Sequence, residues 1–406
     1  MFKMTGLIVV LLCSCIVSTI AEELNTTSSD FDNMIPSSSR SNDNLNTLEM
    51  ITEEGYPAEA HTVETEDGYL LTMHRIRGNP GSPAIFLQHG VLGSSADWVI
   101  LGKGKALAYL LADQGYDVWL GNFRGNTYSR AHISLTTLDP KFWDFSWHES
   151  GIYDLPAMIK HVAQYKQQNL RAYIGFSMGT TCFYVMATER PEVTKYLQSV
   201  YNLAPVVYMK HVESPLKYFA PIATNFKTIF SLLGETEFLP QSKVIKFLAK
   251  TMCDVFSWQN KICANMMFII AGFDADQFDY SLLPTILNHT PAGTSTKTMI
   301  HYAQEIKSGY FRQFDYGPLR NVLYYKSTSP PNYDLSKITV PIVMFCGSND
   351  WLSAPEDVAR LVHELPQQAM VYKVPYKKFN HIDFLWANNA PQLVYKKILV
   401  LLSRGV

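Results

Sequence analysis

The clearest chemical signal in this sequence is a serine flanked by glycines, in the stretch Gly-Phe-Ser-Met-Gly at positions 175–179. An apolar run at 172–174 predicts a short buried strand before it, and residues 180–186 predict the start of a helix after it. A strand, a serine and a helix in this order are the context of a nucleophile elbow, whose tight turn needs glycine two residues to either side. The pattern therefore predicts Ser177 as a nucleophile.

A serine hydroxyl needs a base within hydrogen-bond reach, and the base needs a carboxylate to orient it. With an elbow of this kind the chain order is serine, acid, histidine, each on a loop after a strand. Asp350 follows the apolar strand predicted at 340–345, and His381 follows the strand predicted at 370–374. The order therefore selects Asp350 as the acid and His381 as the base.

Three other residues compete for these roles. Asp357 comes two residues after Pro355, in the first turn of a predicted helix, where it is better explained as a partner of the helix dipole. Asp383 follows His381 and so breaks the chain order. His89 precedes a glycine, and a histidine in that position more often shapes a loop than acts as a base.

Acyl-transfer chemistry also needs two backbone N–H groups for the developing oxyanion. The Met178 N–H, at the start of the helix after the serine, is one. The second is expected from the loop after the strand predicted at 83–88, where Gly90 permits close backbone approach and the Val91 N–H is our choice. Losing one such donor typically lowers the rate by about 10²–10³.

The composition excludes one class of partner. The chain has 406 residues, a hydrophobic fraction of 47% and a formal net charge of −2. So small a charge gives no long-range field toward nucleic acid. The motifs imply no metal and no cofactor, and we expect a monomer.

The N-terminus is typical of an exported protein. Residues 1–21 combine Lys3, an apolar stretch at 7–20 and Ala21, which predicts a secretory signal peptide; a signal anchor is the alternative. The stretch is too short to cross a bilayer comfortably and no later segment is both long and apolar enough, so no transmembrane span is predicted. Residues 22–48 are rich in Ser, Asn, Thr and Asp and are predicted to be a disordered leader.

Export changes how the cysteines and sequons are interpreted. Cys253 and Cys263 lie ten residues apart and are predicted to form a disulfide. Cys182 and Cys346 lie in predicted buried elements and are interpreted as small apolar fillers. The candidate glycosylation acceptors are Asn25 and Asn288.

Strands that alternate with long helices predict an α/β fold with a parallel sheet. One of these helices is predicted from Asp97 to Asp113. After the sixth predicted strand the alternation stops and helical signals dominate, so the domain plan is a core at 49–208, a mainly helical insertion at 209–333 and a second part of the core at 334–406.

One stretch of the insertion has apolar residues at helical spacing with lysines between them. It is either an ordinary amphipathic helix packed on the core or a lid that lays its apolar face on lipid. The apolar positions are Val244, Phe247, Leu248 and Met252, and the lysines are Lys243, Lys246 and Lys250.

From about residue 49 to its end the chain resembles the acid lipase family of α/β-hydrolases, which includes gastric and lysosomal acid lipases. The resemblance implies an α/β-hydrolase fold with a helical cap and a triad on Ser177, Asp350 and His381. The matching stretches are Glu-Gly-Tyr-Pro at 54–57, Glu-Asp-Gly-Tyr at 66–69, Leu-Gln-His-Gly at 87–90, Gly-Asn-Phe-Arg-Gly-Asn-Thr at 121–127, Pro-Ala-Gly-Thr-Ser at 291–295 and Asn-His-Ile-Asp-Phe at 380–384.

The family resemblance implies a secreted or lysosomal serine lipase that cleaves acylglycerols at a lipid–water interface, and some members also cleave sterol esters. The chain departs from the pattern at Phe176 and Met178, where many members have His and Gln, and in its long leader before Met50. Two alternatives stay open: a soluble carboxylesterase without interfacial preference, and a catalytically idle lipid-binding or storage protein.

Overall fold

The computed structural model describes residues 45–218, 220, 236–239, 267–367 and 369–405. The predicted signal peptide, most of the predicted leader and the lysine-rich candidate lid helix lie outside these residues. The first described helix begins at Thr47, where the Asn46 side chain accepts from the Glu49 N–H and the Glu49 carboxylate accepts from the Asn46 N–H. This capping box fixes the N-terminal end of the helix.

The described strands form one large sheet and one small strand pair. The strand order in the large sheet is β1-β2-β4-β3-β6-β7-β10-β11, with β5 paired to β2, and β8 pairs with β9. The strands are β1 (Ala58–Glu64), β2 (Tyr69–Ile76), β3 (Ala84–Gln88), β4 (Asp117–Gly121), β5 (Ala131–His132), β6 (Ala172–Phe176), β7 (Val200–Leu203), β8 (Glu237–Phe238), β9 (Thr294–Ser295), β10 (Ile342–Cys346) and β11 (Met370–Lys373).

The prediction of a parallel sheet is confirmed for the six strands β4, β3, β6, β7, β10 and β11, which are adjacent in that spatial order. Every neighbouring pair among them is parallel. The N-terminal hairpin β1–β2 is antiparallel, and so is the pairing of β2 with β4. The two-residue strand β5 was missed, so the insertion follows the seventh strand and not the sixth. Since parallel strands end at one edge of the sheet, the loops after β3, β6, β10 and β11 come together there.

Each central strand is buried on both faces, which explains its continuous apolar sequence. Successive residues alternate between two cores: in β3 the Ile85 side chain packs in one and the Phe86 side chain in the other. The same alternation separates Tyr173 from Ile174 in β6. The sheet is therefore the middle layer of three, and the helices supply the outer two.

The helices of the core alternate with the strands, as an α/β fold requires. The described helices are α1 (Thr47–Glu53), α2 (Leu107–Asp113), α3 (Trp147–Glu149), α4 (Leu155–Lys166), α5 (Met178–Glu189), α6 (Leu283–His289), α7 (Thr296–Ser308), α8 (Pro318–Tyr325), α9 (Pro355–Glu364), α10 (Asp383–Trp386) and α11 (Lys396–Ser403).

The prediction of one helix from Asp97 to Asp113 was wrong. The structure has a short 3₁₀ turn, Ser95–Trp98, and then α2, which begins only at Leu107. Gly102 and Gly104 lie between them with φ values of +75° and +78°. This left-handed conformation ends a right-handed helix, so the apolar periodicity continues across a break.

The described part of the insertion contains α6, α7 and α8 together with the β8–β9 pair, in agreement with its predicted helical character. Within the described residues, no helix combines the length and the apolar character that a bilayer crossing requires.

Candidate active site

Ser177 lies at the turn from β6 into α5, with φ 51° and ψ −115°. A positive φ is strained for a residue with a side chain, and hydrogen bonds from the Thr180 N–H and hydroxyl to the Ser177 carbonyl, at 2.8 and 2.6 Å, hold it there. A Cβ atom at Gly175 would lie 2.9 Å from the Gly179 carbonyl carbon, and one at Gly179 would lie 2.5 Å from the Gln88 carbonyl oxygen. Both glycines are therefore required by packing, as the motif predicted.

The three side chains that chain order selected lie in one hydrogen-bonded line. His381 Nε2 is 2.8 Å from Ser177 Oγ, and His381 Nδ1 is 2.9 Å from each carboxylate oxygen of Asp350. Because a carboxylate only accepts hydrogen bonds, Nδ1 carries the proton and Nε2 is free to accept from the serine hydroxyl. None of the three is more than 5% exposed. The arrangement is that of a nucleophile, a base and an orienting acid.

Backbone donors fix the acid independently of the histidine. Asp350 Oδ1 accepts from the N–H groups of Leu352 and Ser353, at 3.0 and 2.8 Å. The Ser353 hydroxyl in turn donates to the Pro205 carbonyl at the end of β7, at 2.7 Å. The acid loop is thus tied to the neighbouring strand of the sheet.

The competing acids are engaged elsewhere. The Asp357 carboxylate accepts from the backbone N–H of His211 and lies 2.8 Å from the Nδ1 of the same residue. The Asp383 carboxylate accepts from the Asn380 N–H, at 2.7 Å, and so closes the loop that carries His381. Neither carboxylate faces the imidazole that faces the serine.

A short backbone segment inside the predicted insertion joins the acid and base loops. The Ala271 carbonyl accepts from the N–H groups of Trp351 and His381, both at 3.3 Å, and the Gly272 carbonyl accepts from the Asn380 side chain at 2.8 Å. Gly272 has a φ of +111°, and a Cβ there would lie 2.1 Å from the Asn349 carbonyl oxygen. The sequence analysis missed this segment, and the glycine after an apolar run was its only signal.

The loop after β3 reaches the nucleophile. A Cβ at Gly90 would lie 3.1 Å from the Cβ of Ser177, so the missing side chain lets the backbone touch the serine. Among the backbone hydrogen bonds of the described loops and turns, neither the Val91 N–H nor the Met178 N–H has an acceptor. Two unpaired donors beside a serine can bind an oxyanion.

His89 holds that loop in shape. Its Nδ1 donates to the Gly90 carbonyl at 2.7 Å, and its Nε2 accepts from the Phe123 N–H and the Asn126 amide at 3.1 and 3.2 Å. Burial lowers the pKa of His89 to about 4. Because both ring nitrogens are occupied, this neutral histidine is a loop residue, in agreement with the interpretation from sequence.

The polar loop after β4, which carries Asn126, has its own anchor. The Arg124 guanidinium donates to Asp154 at 2.7 Å and to Asp67 at 2.6 and 2.8 Å, and its backbone N–H donates to Asp154 at 3.0 Å. The bidentate contact to Asp67 has a defined geometry, and the contact to Asp154 is fully buried. These contacts therefore fix the position of the residues that support His89.

Of the remaining predicted positions, the structure describes two cysteines and one candidate glycosylation site. Cys182 and Cys346 are buried and unpaired, and burial raises the pKa of both thiols, so both are inert fillers as predicted. Asn288 lies half-buried in α6. Cys253, Cys263 and Asn25 lie outside the described residues.

A mostly parallel sheet between helices, with a serine at a strand-to-helix turn and the acid and base on later loops, defines an α/β hydrolase. Residues 47–102 match a family model described as a partial alpha/beta-hydrolase lipase region, and residues 83–221 match the alpha/beta hydrolase fold. The solved complex of DcsB with a substrate analogue is similar in fold, with a TM-score of 0.50 at 14% identity, over 86% of this chain and 100% of that one.

Comparison with named relatives identifies the family of α/β hydrolases to which this chain belongs. The chain is 45% identical to Lipase 3 of Drosophila melanogaster over 358 residues, which cover 86% of this chain and 91% of that protein. It is 40% identical to gastric triacylglycerol lipase of Mus musculus over 369 residues, which cover 89% of this chain and 92% of that protein. The chain therefore belongs to the acid lipase family of α/β hydrolases, and the resemblance of its motifs is confirmed.

Proposed function

We propose that this protein is a serine lipase that hydrolyses the carboxylic ester bonds of acylglycerols. The observation that carries the proposal is the contact of 2.8 Å between Ser177 Oγ and His381 Nε2, with Asp350 on the far side of the imidazole. The substrate class follows from the gastric triacylglycerol lipases among the relatives. Sterol esters are the second substrate class to test.

In the first half-reaction Ser177 Oγ attacks the ester carbonyl carbon while His381 Nε2 takes the hydroxyl proton. Asp350 stabilises the imidazolium that forms. The carbonyl oxygen becomes an oxyanion, which accepts hydrogen bonds from the N–H groups of Val91 and Met178. Collapse of this intermediate breaks the bond to the alcohol oxygen, which takes the proton from His381 and leaves, and the acyl group stays on Ser177.

In the second half-reaction a water molecule replaces the alcohol. His381 takes one proton from this water, whose oxygen attacks the acyl carbonyl carbon, and the same two N–H groups hold the oxyanion again. When the intermediate collapses, the proton returns to Ser177 Oγ and the fatty acid leaves. The reaction thus uses only groups of this chain and water.

A Ser177→Ala variant tests the chemistry. Its kcat on emulsified tributyrin should fall by about 10⁴–10⁶ relative to the unaltered chain, because the nucleophile is lost. Ser403→Ala, which removes an exposed hydroxyl in the last turn of α11, is the matched control and should keep full activity. Near-full activity of the Ser177→Ala chain would contradict the proposal.

The same assay separates the alternatives. A lipase should show a rise in rate as the ester concentration passes its solubility limit, whereas a soluble carboxylesterase should follow a single saturation curve. A lipid-binding protein without activity would hydrolyse neither dissolved nor emulsified ester and would not be labelled by a serine-directed phosphonate.

We further propose that the chain is exported, to the extracellular fluid or the lysosome, by a signal at residues 1–21. Export would allow a disulfide between Cys253 and Cys263 and glycosylation at Asn25. Asn288 is a weaker acceptor because it is half-buried in a helix. Mass spectrometry of the exported protein should find an N-terminus at Glu22, a peptide pair linked by the two cysteines and a modified Asn25.

A further inference from the structure

Helix α8 is attached to the protein through a polar residue. Asn321 is the buried residue of this helix. Its side-chain amide donates to Asp315 Oδ1 at 2.8 Å and to the Thr328 carbonyl at 3.0 Å, and its oxygen accepts from the Tyr316 N–H at 2.9 Å. These bonds tie the helix to the chain before and after it and hold the side of the helix that carries Asn321 against those segments.

The apolar side chains of α8 point away from the protein. Leu319 is 87% exposed and Leu323 is 71% exposed, and they are four residues apart, which puts them on one face of the helix. Tyr324 and Val322 are 65% and 44% exposed. A surface helix ordinarily turns its apolar face to the core and its polar residues to water. Here the polar residue is inside and the leucines are outside.

The surroundings of this face are those of a membrane–water boundary. Tyr324 stacks on Tyr316, with ring centroids 4.5 Å apart, and the Tyr316 hydroxyl accepts from Lys297 at 3.0 Å. Arg320 and Lys326, both exposed, lie within and just after the helix. Tyrosines and long cationic side chains next to exposed leucines are typical of segments that lie in a lipid interface.

We propose that the face of α8 formed by Leu319, Val322, Leu323 and Tyr324, here called the α8 face, is a lipid-contact surface that holds the enzyme on its substrate particle. This inference rests on the proposed function, because only an enzyme whose substrate is a lipid surface needs such a contact. A second copy of the chain is the less suitable occupant. Four side chains expose on the order of a few hundred Å², whereas a stable protein interface buries about 800 Å² per partner.

The test measures binding without catalysis. The full chain with Ser177→Ala is mixed with a triolein emulsion stabilised by phosphatidylcholine, and the bound fraction is determined by flotation. Adding Leu319→Ser and Leu323→Ser should weaken partition about 10-fold or more, because two apolar side chains no longer enter the lipid. Ile133→Ser with Leu138→Ser is the matched control: these residues are 63% and 92% exposed and lie on another loop, so partition should stay within about twofold.

Each outcome decides the proposal. Unchanged partition of the α8 variant, or an equal loss in the control, would overturn it. A dimer of the unaltered chain in sedimentation equilibrium that the α8 variant abolishes would also overturn it, in favour of a protein contact. Because the emulsion assay uses an inactive chain, a loss of binding confined to the α8 variant supports the surface even if the unaltered chain hydrolyses no acylglycerol, in which case only the proposed function fails.

A catalytic readout separates binding from folding. With Ser177 intact, the α8 variant should hydrolyse dissolved p-nitrophenyl butyrate at the rate of the unaltered chain, while its rate on emulsified triolein falls with its partition. An equal loss on both substrates would mean that the two leucines support the active site, and would contradict a surface role.

Discussion

The ring of Phe176 packs against the imidazole of His381, with centroids 5.0 Å apart and planes inclined by 42°. Phe176 is buried and also contacts the loop at Gly90, since a Cβ there would lie 3.0 Å from its ring. Many acid lipases have a histidine at this position of the motif. In this chain the imidazole of His381, the proposed base, therefore has an apolar neighbour with no charge at any pH.

Phe176→His should add a second dependence on acid to the one that any imidazole base has. Once protonated, the new imidazole carries a charge that at this distance opposes the imidazolium that His381 forms during the reaction, and burial of the position places its pKa below the usual value of about 6.5. We expect kcat/KM on a dissolved ester to fall by roughly 10-fold between pH 7 and pH 5 relative to the unaltered chain. Phe176→Leu is the control and should keep the original profile; superimposable profiles for all three would contradict the argument.

Asp350→Asn should lower kcat by about 10⁴ while leaving the fold intact. Oδ1 of Asp350 is held by two backbone N–H groups, so the new amide nitrogen would replace Oδ2 and face His381 Nδ1. The imidazole would then carry its proton on Nε2 and could not accept from Ser177.

The measurement for Asp350→Asn is kcat on a dissolved ester, with thermal unfolding to verify the fold. Asp357→Asn is the control, because that carboxylate pairs with His211 and not with the catalytic base. A loss of less than 10-fold in the Asp350→Asn chain would mean that another acid orients the imidazole.

Ser177, Asp350 and His381 could be selected from the sequence because their proposed roles depend on side-chain type and on chain order. Strands of a parallel sheet end at one edge, so a polar loop after each apolar run was enough to bring Asp350 and His381 to Ser177. The prediction of one long helix across Gly102 was wrong because apolar periodicity depends only on which side chains are apolar. It does not show where the backbone leaves the helical conformation.

Other parts of the site and its surroundings carry almost no sequence signal. The Ala271 carbonyl acts through its backbone, so any residue type could occupy that position without changing the pattern. The spacing of Leu319 and Leu323 would predict a buried face by any periodicity argument. The burial of Asn321, which makes three hydrogen bonds to the chain on either side of the helix, turns that face outward.

Gly272→Ala should reduce stability and activity together. The substitution puts a side chain on a residue with a φ of +111° and a Cβ 2.1 Å from the Asn349 carbonyl oxygen, so the segment must move. Ala271, which accepts from both His381 and Trp351, would move with it. We expect a loss of about 2 kcal/mol or more in the free energy of unfolding and a fall in kcat.

Gly55→Ala separates the effect of backbone strain at a positive φ from the effect of displacing the segment at 271–272. Gly55 has a φ of +84°, but a Cβ there has no neighbour within 4 Å. It should therefore lower the free energy of unfolding by about 1–2 kcal/mol through backbone strain and leave kcat unchanged. If both variants behaved alike in denaturant melts and rate assays, the segment at 271–272 would have no special role in positioning the acid and base loops.

Asp383, in the loop that carries His381, should make the free energy of unfolding depend on pH. Burial, together with the charge of neighbouring Asp274, raises the pKa of Asp383 well above its usual range. Tyr376 donates to Oδ1 of Asp274 at 3.1 Å. The folded chain therefore keeps a proton at this pair that the unfolded chain releases near pH 4.

The sign of the pH dependence follows from that difference. Where the folded state binds more protons than the unfolded state, the free energy of unfolding falls as the pH rises, here from about pH 4 upward until the folded pair itself ionises. One retained proton corresponds to a slope of about 1.4 kcal/mol per pH unit. Asp383→Asn removes the proton from the pair, so the free energy of unfolding should decline less steeply between pH 5 and pH 8.

Urea unfolding at intervals of one pH unit measures this slope. Asp274→Asn should flatten it less, because Asp383 stays buried and burial is the largest cause of its raised pKa. Glu53→Gln is the control: its carboxylate is exposed at the end of α1 and is not among the groups that act on Asp274 or Asp383, so the slope should match that of the unaltered chain. If Asp383→Asn left the slope unchanged, the pair would be ionised in the folded protein, and the His381 loop would be held by the Asn380 contacts alone.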